Sequence, residues 1–112
     1  MKRVVFVITG LVLLPSFACA DQQVRAAWYC NELRGHRTAS GEMFNPDGLT
    51  AAHKTLPLGT CLVAGNPKTG KTVVVRVKDR GPFTPGLTLD LSSGAARAID
   101  MRSTESVMMR RC

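Results

Sequence analysis

At 112 residues the chain has room for one domain, which excludes a multidomain enzyme within this sequence. Its 15 Lys and Arg against 8 Asp and Glu give a formal charge of +7. The basic residues are scattered and build no nucleic-acid module, so the charge points to solubility and anionic polymers and away from nucleic acid.

The first twenty residues read as a signal peptide. Lys2 and Arg3 form a basic start, Val4 to Leu14 an apolar run, and Pro15 breaks that run before Ala18-Cys19-Ala20. The run is too short for a spanning helix, which needs roughly 20 residues. Cleavage after Ala20 is expected, leaving residues 21–112 as the folded body, exported to the periplasm or the extracellular space. A lipoprotein anchored through Cys19 is the alternative. Loss of Lys2 and Arg3 leaves 13 basic against 8 acidic residues, a formal balance of +5.

Past this point turn residues recur at short intervals and no long 3.6-residue period develops, so the chain reads as mainly β. Val24 to Tyr29 is predicted as a strand and Asn45-Pro46-Asp47-Gly48 as a turn. Thr60 to Ala64 is a second strand, joined through Gly65 to Gly70 to the β-branched run Thr72 to Lys78, and the two form a hairpin. Gly81-Pro82 ends that run. Leu87 to Leu91 alternates as a half-buried strand, Ser92 caps a short helix over Gly94 to Ile99, and a last strand lies around Val107 to Met109.

Cys30, Cys61 and Cys112 follow the signal peptide, and in an oxidising compartment one disulfide is expected, with three pairings open. His36 and His53 could add metal ligands, but no C-x-x-C or H-x-x-x-H spacing gathers them, so neither a metal nor a cofactor is expected. A mature body this small gains from barrel closure, and a monomer is expected.

Strict alternation along β-strand 73–79 puts Val73, Val75, Val77 and Asp79 on one face and Val74, Arg76, Lys78 and Arg80 on the other. Asp79 then ends an apolar row, surroundings that favour the protonated carboxyl a glycosidic general acid needs. Capping of the Gly81-Pro82 turn is the plainer explanation of the same residue.

Six segments carry a resemblance. Trp28-Tyr29, Arg37 to Glu42, Leu49 to His53, Thr55 to Thr60, Asp79 to Phe83 and Asp90-Leu91-Ser92 resemble, in order, the motifs of the rare-lipoprotein-A family of septal-ring-type lytic transglycosylases. The resemblance implies an all-β, six-stranded double-psi β-barrel with one short helix, a fold shared with expansins and barwin-like proteins. It also implies catalytic residues Asp79, His53 and Glu42. A lytic transglycosylase protonates the leaving oxygen after N-acetylmuramic acid, and the sugar's own 6-hydroxyl closes a 1,6-anhydro ring, so one residue can serve as acid and then base. That double role is expected of Asp79. His53 would orient it or bind a sugar hydroxyl, and Glu42 would stabilise the cationic transition state or position the glycan. Tyr29, Ser40, Arg80 and Phe83 are expected to bind substrate, with Thr38 beside them; Arg80 could pair with a glycan carboxylate.

The chain departs from the family pattern at Cys30, Cys61, Cys112 and Lys78, the last standing where Asn is usual before the Asp-Arg-Gly motif. Two functions are therefore weighed: a lytic transglycosylase cleaving peptidoglycan glycan strands, and a non-catalytic, expansin-like module that binds wall polysaccharide without breaking it.

Overall fold

The computed structural model describes residues 21–29 and 34–112. The expected signal peptide, the Cys19 alternative and Cys30 lie outside the described residues. Within them run β1 (Gln22–Trp28), β2 (Thr50–His53), β3 (Cys61–Gly65), β4 (Thr72–Asp79), β5 (Leu89–Leu91), α1 (Ser93–Ala98) and β6 (Glu105–Arg111). Every element expected from local pattern is present, with ends shifted by a few residues. The strand that pattern alone does not reveal is β2, whose Thr-Ala-Ala-His carries one β-branched residue and owes its conformation to strands on both sides.

The strands close into a barrel in the order β1-β5-β2-β4-β3-β6. β1 with β5 and β2 with β4 are parallel, and the other neighbours are antiparallel. Closure leaves no free edge to recruit another chain. The interior is filled by Val73, Val75 and Val77 of β4, Leu62 and Ala64 of β3, Leu89 and Leu91 of β5, and Val107 and Met109 of β6. Ala95, Ala96 and Ile99 plug one side from α1 and its C-cap. Each large aliphatic chain so buried contributes about 1.5–3 kcal/mol relative to exposure.

Ser92 stops β5 and starts the helix, as the sequence leads one to expect. Its hydroxyl oxygen accepts from Ala95 N at 3.2 Å and from Thr50 N at 3.3 Å, and its proton goes to the Gly48 carbonyl. The first turn of α1 lies so close to the Pro46-Asp47 turn that a Cβ on Gly94 would stand 2.7 Å from the Asp47 carbonyl oxygen. Glycine is required there by contact, although alanine would suit the helix better.

One irregularity positions the site. Ala51 pairs with Val77, but the next residue, Ala52, pairs with Asp79, so Lys78 is an extra residue in β4. This β-bulge interrupts the alternation that the sequence suggests. Val77 points into the core with Ala51, whereas Asp79 follows Ala52, which belongs to the opposite face.

Of the three cysteine pairings left open, the structure contains Cys61–Cys112, closing the C-terminus onto the start of β3 across 51 residues of chain. Cys112 N also donates to Cys61 O at 3.0 Å. A loop of that length corresponds to about 4 kcal/mol in the chain-entropy account, with about 2–4 kcal/mol typical in practice. Replacing both cysteines by alanine should lower unfolding stability by about that amount in a denaturant titration while leaving the barrel's far-UV spectrum in place; an unchanged midpoint would show that the C-terminus is held by its ladder alone.

Candidate functional site

Paired residues on neighbouring strands share a face, so the register defines a row across four strands: Ala27 of β1, Asp90 of β5, Ala52 of β2 and Asp79 of β4. Their neighbours Ala26, Leu89, Leu91, Ala51 and Val77 fill the barrel, so this row faces outward. Two carboxylates therefore flank one small, fully covered side chain, Ala52. Asp79 does not end an apolar row as strict alternation suggests, because the bulge at Lys78 turns it to the other side.

An arm formed by residues 34–45 docks at the Asp79 end of this row. Gly35 N donates to Phe44 O at 3.0 Å, Phe44 N to His36 O at 2.7 Å, and Thr38 N to Glu42 O at 2.8 Å, a short hairpin turning at Ala39-Ser40-Gly41. The tip docks on the bulge. Ser40 N donates to the Lys78 carbonyl at 2.9 Å, Ala39 N to Asp79 Oδ1 at 3.0 Å, and Lys78 Nζ meets Glu42 Oε2 at 2.8 Å. The backbone group that the bulge leaves without a ladder partner is thus satisfied by the arm. Asp79 Oδ1 accepts a second bond from Arg80 N at 2.8 Å, so Oδ2 is the oxygen outside these backbone bonds.

Between arm and barrel is a cavity of ≈ 180 Å³ lined by Tyr29, His36, Arg37, Thr38, Phe44 and Asp79. Tyr29 and Phe44 meet edge to face with ring centroids 5.0 Å apart and form its apolar wall. Burial, reinforced by the negative charges of Asp79 and then Asp90, pushes the Tyr29 phenol far above its ordinary value, so it enters the site as a proton-bearing donor. Burial also raises Asp90 above the usual carboxylate range.

The residues expected from the sequence are distributed unevenly around this cavity. Asp79, Tyr29 and Thr38 line it. Glu42 lies beside it, paired with Lys78, and these two border a smaller cavity with Thr38 and Phe44. Ser40 is in the arm tip, its hydroxyl 2.8 Å from that of Thr38. Phe83 stands 77% exposed beyond the Gly81-Pro82 turn, available to a ligand but enclosed by nothing. His53 ends β2 opposite the core residue Leu89, on the other side of the strand from Ala52. Among the described hydrogen bonds none joins it to Asp79 or Glu42. Arg80 Nη1 is committed to two carbonyls, His53 O at 3.1 Å and Leu56 O at 2.6 Å.

Asp90 is the site residue that sequence reasoning passed over. The signal was present in Leu87 to Leu91, where alternation sends Leu89 and Leu91 inward and leaves Asp90 facing out. What the sequence lacked was the register that sets it beside Ala52 and across from Asp79.

The fold and site define a double-psi β-barrel with a polar cavity between its outer face and the arm. Solved structures agree on the fold: the apo expansin of Clavibacter michiganensis superposes with a TM-score of 0.64 at 24% identity, covering 83% of this chain and 50% of that one. The rationally designed mkDPBB_sym2 protein gives 0.56 at 13% identity over 83% of this chain and all of the other. A family model described as lytic transglycolase matches residues 21–110, and this chain belongs to that family. The endolytic peptidoglycan transglycosylase RlpA of Campylobacter jejuni is 39% identical over 94% of this chain and 39% of its own length. That of Yersinia pestis is 46% identical over 73% of this chain and 23% of its own. The chain thus spans well under half of these relatives.

The raised Asp90 carboxyl has a thermodynamic consequence. The folded chain holds this proton more tightly than the unfolded chain, so Asp90 costs stability as pH rises through the unfolded value near 3.8 and on past the folded one. Asp90→Asn should therefore raise the melting temperature at pH 7 and change it little at pH 3. An equal effect at both pH values would mean that burial of the charge is not what the site sustains.

Proposed function

We propose that this chain is an exported lytic transglycosylase that cleaves peptidoglycan glycan strands between N-acetylmuramic acid and N-acetylglucosamine, leaving 1,6-anhydro ends. Family membership supports the reaction class, and the named activity of the relatives supports the substrate. The single observation that carries the reading is the pair Asp79 and Asp90 on either side of Ala52, with the arm docked on Asp79. The disulfide suits an oxidising compartment, and no helix of the described residues is long and apolar enough to cross a membrane.

In this reading the bond from the muramic C1 to the glycosidic oxygen breaks as that oxygen takes a proton from a carboxyl. The muramic O6 then bonds to C1, and the O6 proton passes to a carboxylate, so no water is consumed. Asp79 is the residue at the centre of this cycle, its Oδ1 fixed by two N–H donors and its other oxygen available for the transfer. Asp90 can share the task. Burial raises its pKa, which favours the protonated form that a proton donor needs. Tyr29, a donor at every working pH, can bond a sugar oxygen between them. Glu42 acts through Lys78 to hold the arm, and exposed Phe83 offers a face for a sugar ring.

Incubation of the protein with isolated sacculi, followed by mass spectrometry of the released fragments, tests the proposal. Anhydro-muropeptides are expected, and glycan binding without release would favour the expansin-like alternative. Asp79→Asn should fold and bind yet lose on the order of 10²–10⁴ in rate, since the amide keeps the shape but moves no proton. A comparable loss in Asp90→Asn assigns the two proton transfers to two residues; retained activity assigns both to Asp79. A folded Asp79→Asn variant working at the parental rate would remove Asp79 from the chemistry.

A further inference from the structure

The turn after β2 is closed from two sides. On one, the His53 ring accepts at Nδ1 from Thr55 N at 3.1 Å and from Leu56 N at 3.2 Å. On the other, Arg80 Nη1 donates to the carbonyls of His53 and Leu56, the two ends of the same turn. A nitrogen that accepts two N–H bonds cannot carry a proton itself, so the neutral ring must bear its hydrogen on Nε2. None of the described hydrogen bonds engages Nε2.

We propose that Arg80 is a positioning residue: by bridging the His53 and Leu56 carbonyls it holds the turn whose backbone N–H groups fix His53 as a neutral Nε2–H donor, so that any contact His53 makes with glycan is to an acceptor oxygen and not as a base. The chemical class of the contact follows. Nε2–H suits a hydroxyl, ring or acetamido carbonyl oxygen, and a base at that nitrogen would need the other tautomer, which would set an N–H against two N–H donors. The charged groups facing the ring agree. Burial lowers its pKa from 6.5, followed by Arg80 from the end of β4, Lys54 from the turn itself and Arg111 from β6, all of them cations that disfavour a charged imidazole. Arg80 thus has a structural employment that leaves its Nη1 unavailable for a glycan carboxylate.

Only the link from His53 to glycan rests on the proposed function, so the test begins without substrate. The chain has one other histidine, His36, and a His36→Asn background leaves His53 as the single imidazole to follow by nitrogen-15 NMR. The expected spectrum is the Nε2–H tautomer at neutral pH with a titration midpoint below 6.5. Arg80→Ala should mix the tautomers, raise the midpoint and lower anhydro-product formation on the order of 10- to 100-fold, as small misplacements of a site group do. Arg80→Lys, able to reach one or both carbonyls, should fall between. The proposal is overturned if the parental protein carries the Nδ1–H tautomer, or if folded Arg80→Ala keeps both tautomer and midpoint. Should Arg80→Ala unfold, the parental tautomer and the Arg80→Lys titration still decide. The expected tautomer in a protein that releases no anhydro sugars would refute the function and leave the positioning role standing.

Discussion

The extra residue in β4 governs everything that the outer face of this barrel can do. With regular pairing, Asp79 would follow Val77 toward a core of Leu and Val, where a carboxylate has no partner and its burial costs several kcal/mol. The bulge at Lys78 turns it outward beside Ala52 and leaves one residue whose backbone the β2–β4 ladder does not satisfy. That residue becomes the anchor for the 34–45 arm, through its carbonyl to Ser40 and its ammonium to Glu42. The same dislocation therefore presents the carboxylate and recruits the roof above it. The ion pair itself is partly exposed and of little energetic weight, so the backbone bonds do most of the holding and Lys78 chiefly sets where the arm tip comes down.

The described cations near the site each have a partner. Lys78 is paired with Glu42, Arg37 donates to the Gly41 carbonyl within the arm, and Arg80 is turned to the carbonyls of the 53–56 turn. The cavity is lined by one carboxylate on two N–H donors and by a phenol kept protonated by burial and then by Asp79 and Asp90, while Asp90 itself, raised by burial, stands in the same row beyond Ala52. Such a set of proton donors and acceptors fits glycosidic bond cleavage, and a half-buried carboxylate with raised pKa is a feature that stability alone would not retain.

Much of the fold was legible in the sequence because its signals are local. The β-branched run at 72–78, the Gly-rich connection before it, Ser92 ahead of a small-residue helix and the alternation at 87–91 each specify their own element. β2 was not legible in this way, since Thr-Ala-Ala-His has little strand preference and is made a strand by β4 and β5. The resemblance singled out Leu49 to His53 for His53, without assigning it a strand. Asp79 was found, but its face was misassigned, because a bulge is a property of two paired strands and leaves no trace in the alternation of one. Asp90 was overlooked for the same reason: nothing in Leu-Asp-Leu says which residue lies two strands away. His53 and Arg80 were both singled out, while their connection through the backbone of one turn depends on a fold that brings the end of β4 against the end of β2.

Whether glycan is cut at the row Asp90, Ala52, Asp79 can be read from a structure of the protein with a bound anhydro-muramic disaccharide product. The anhydro ring should sit over Ala52, with its O6 within hydrogen-bond reach of Asp79 or Asp90 and the Tyr29 hydroxyl alongside. A product bound on another face, such as the outer side of β3 and β6, with both carboxylates untouched, would contradict it.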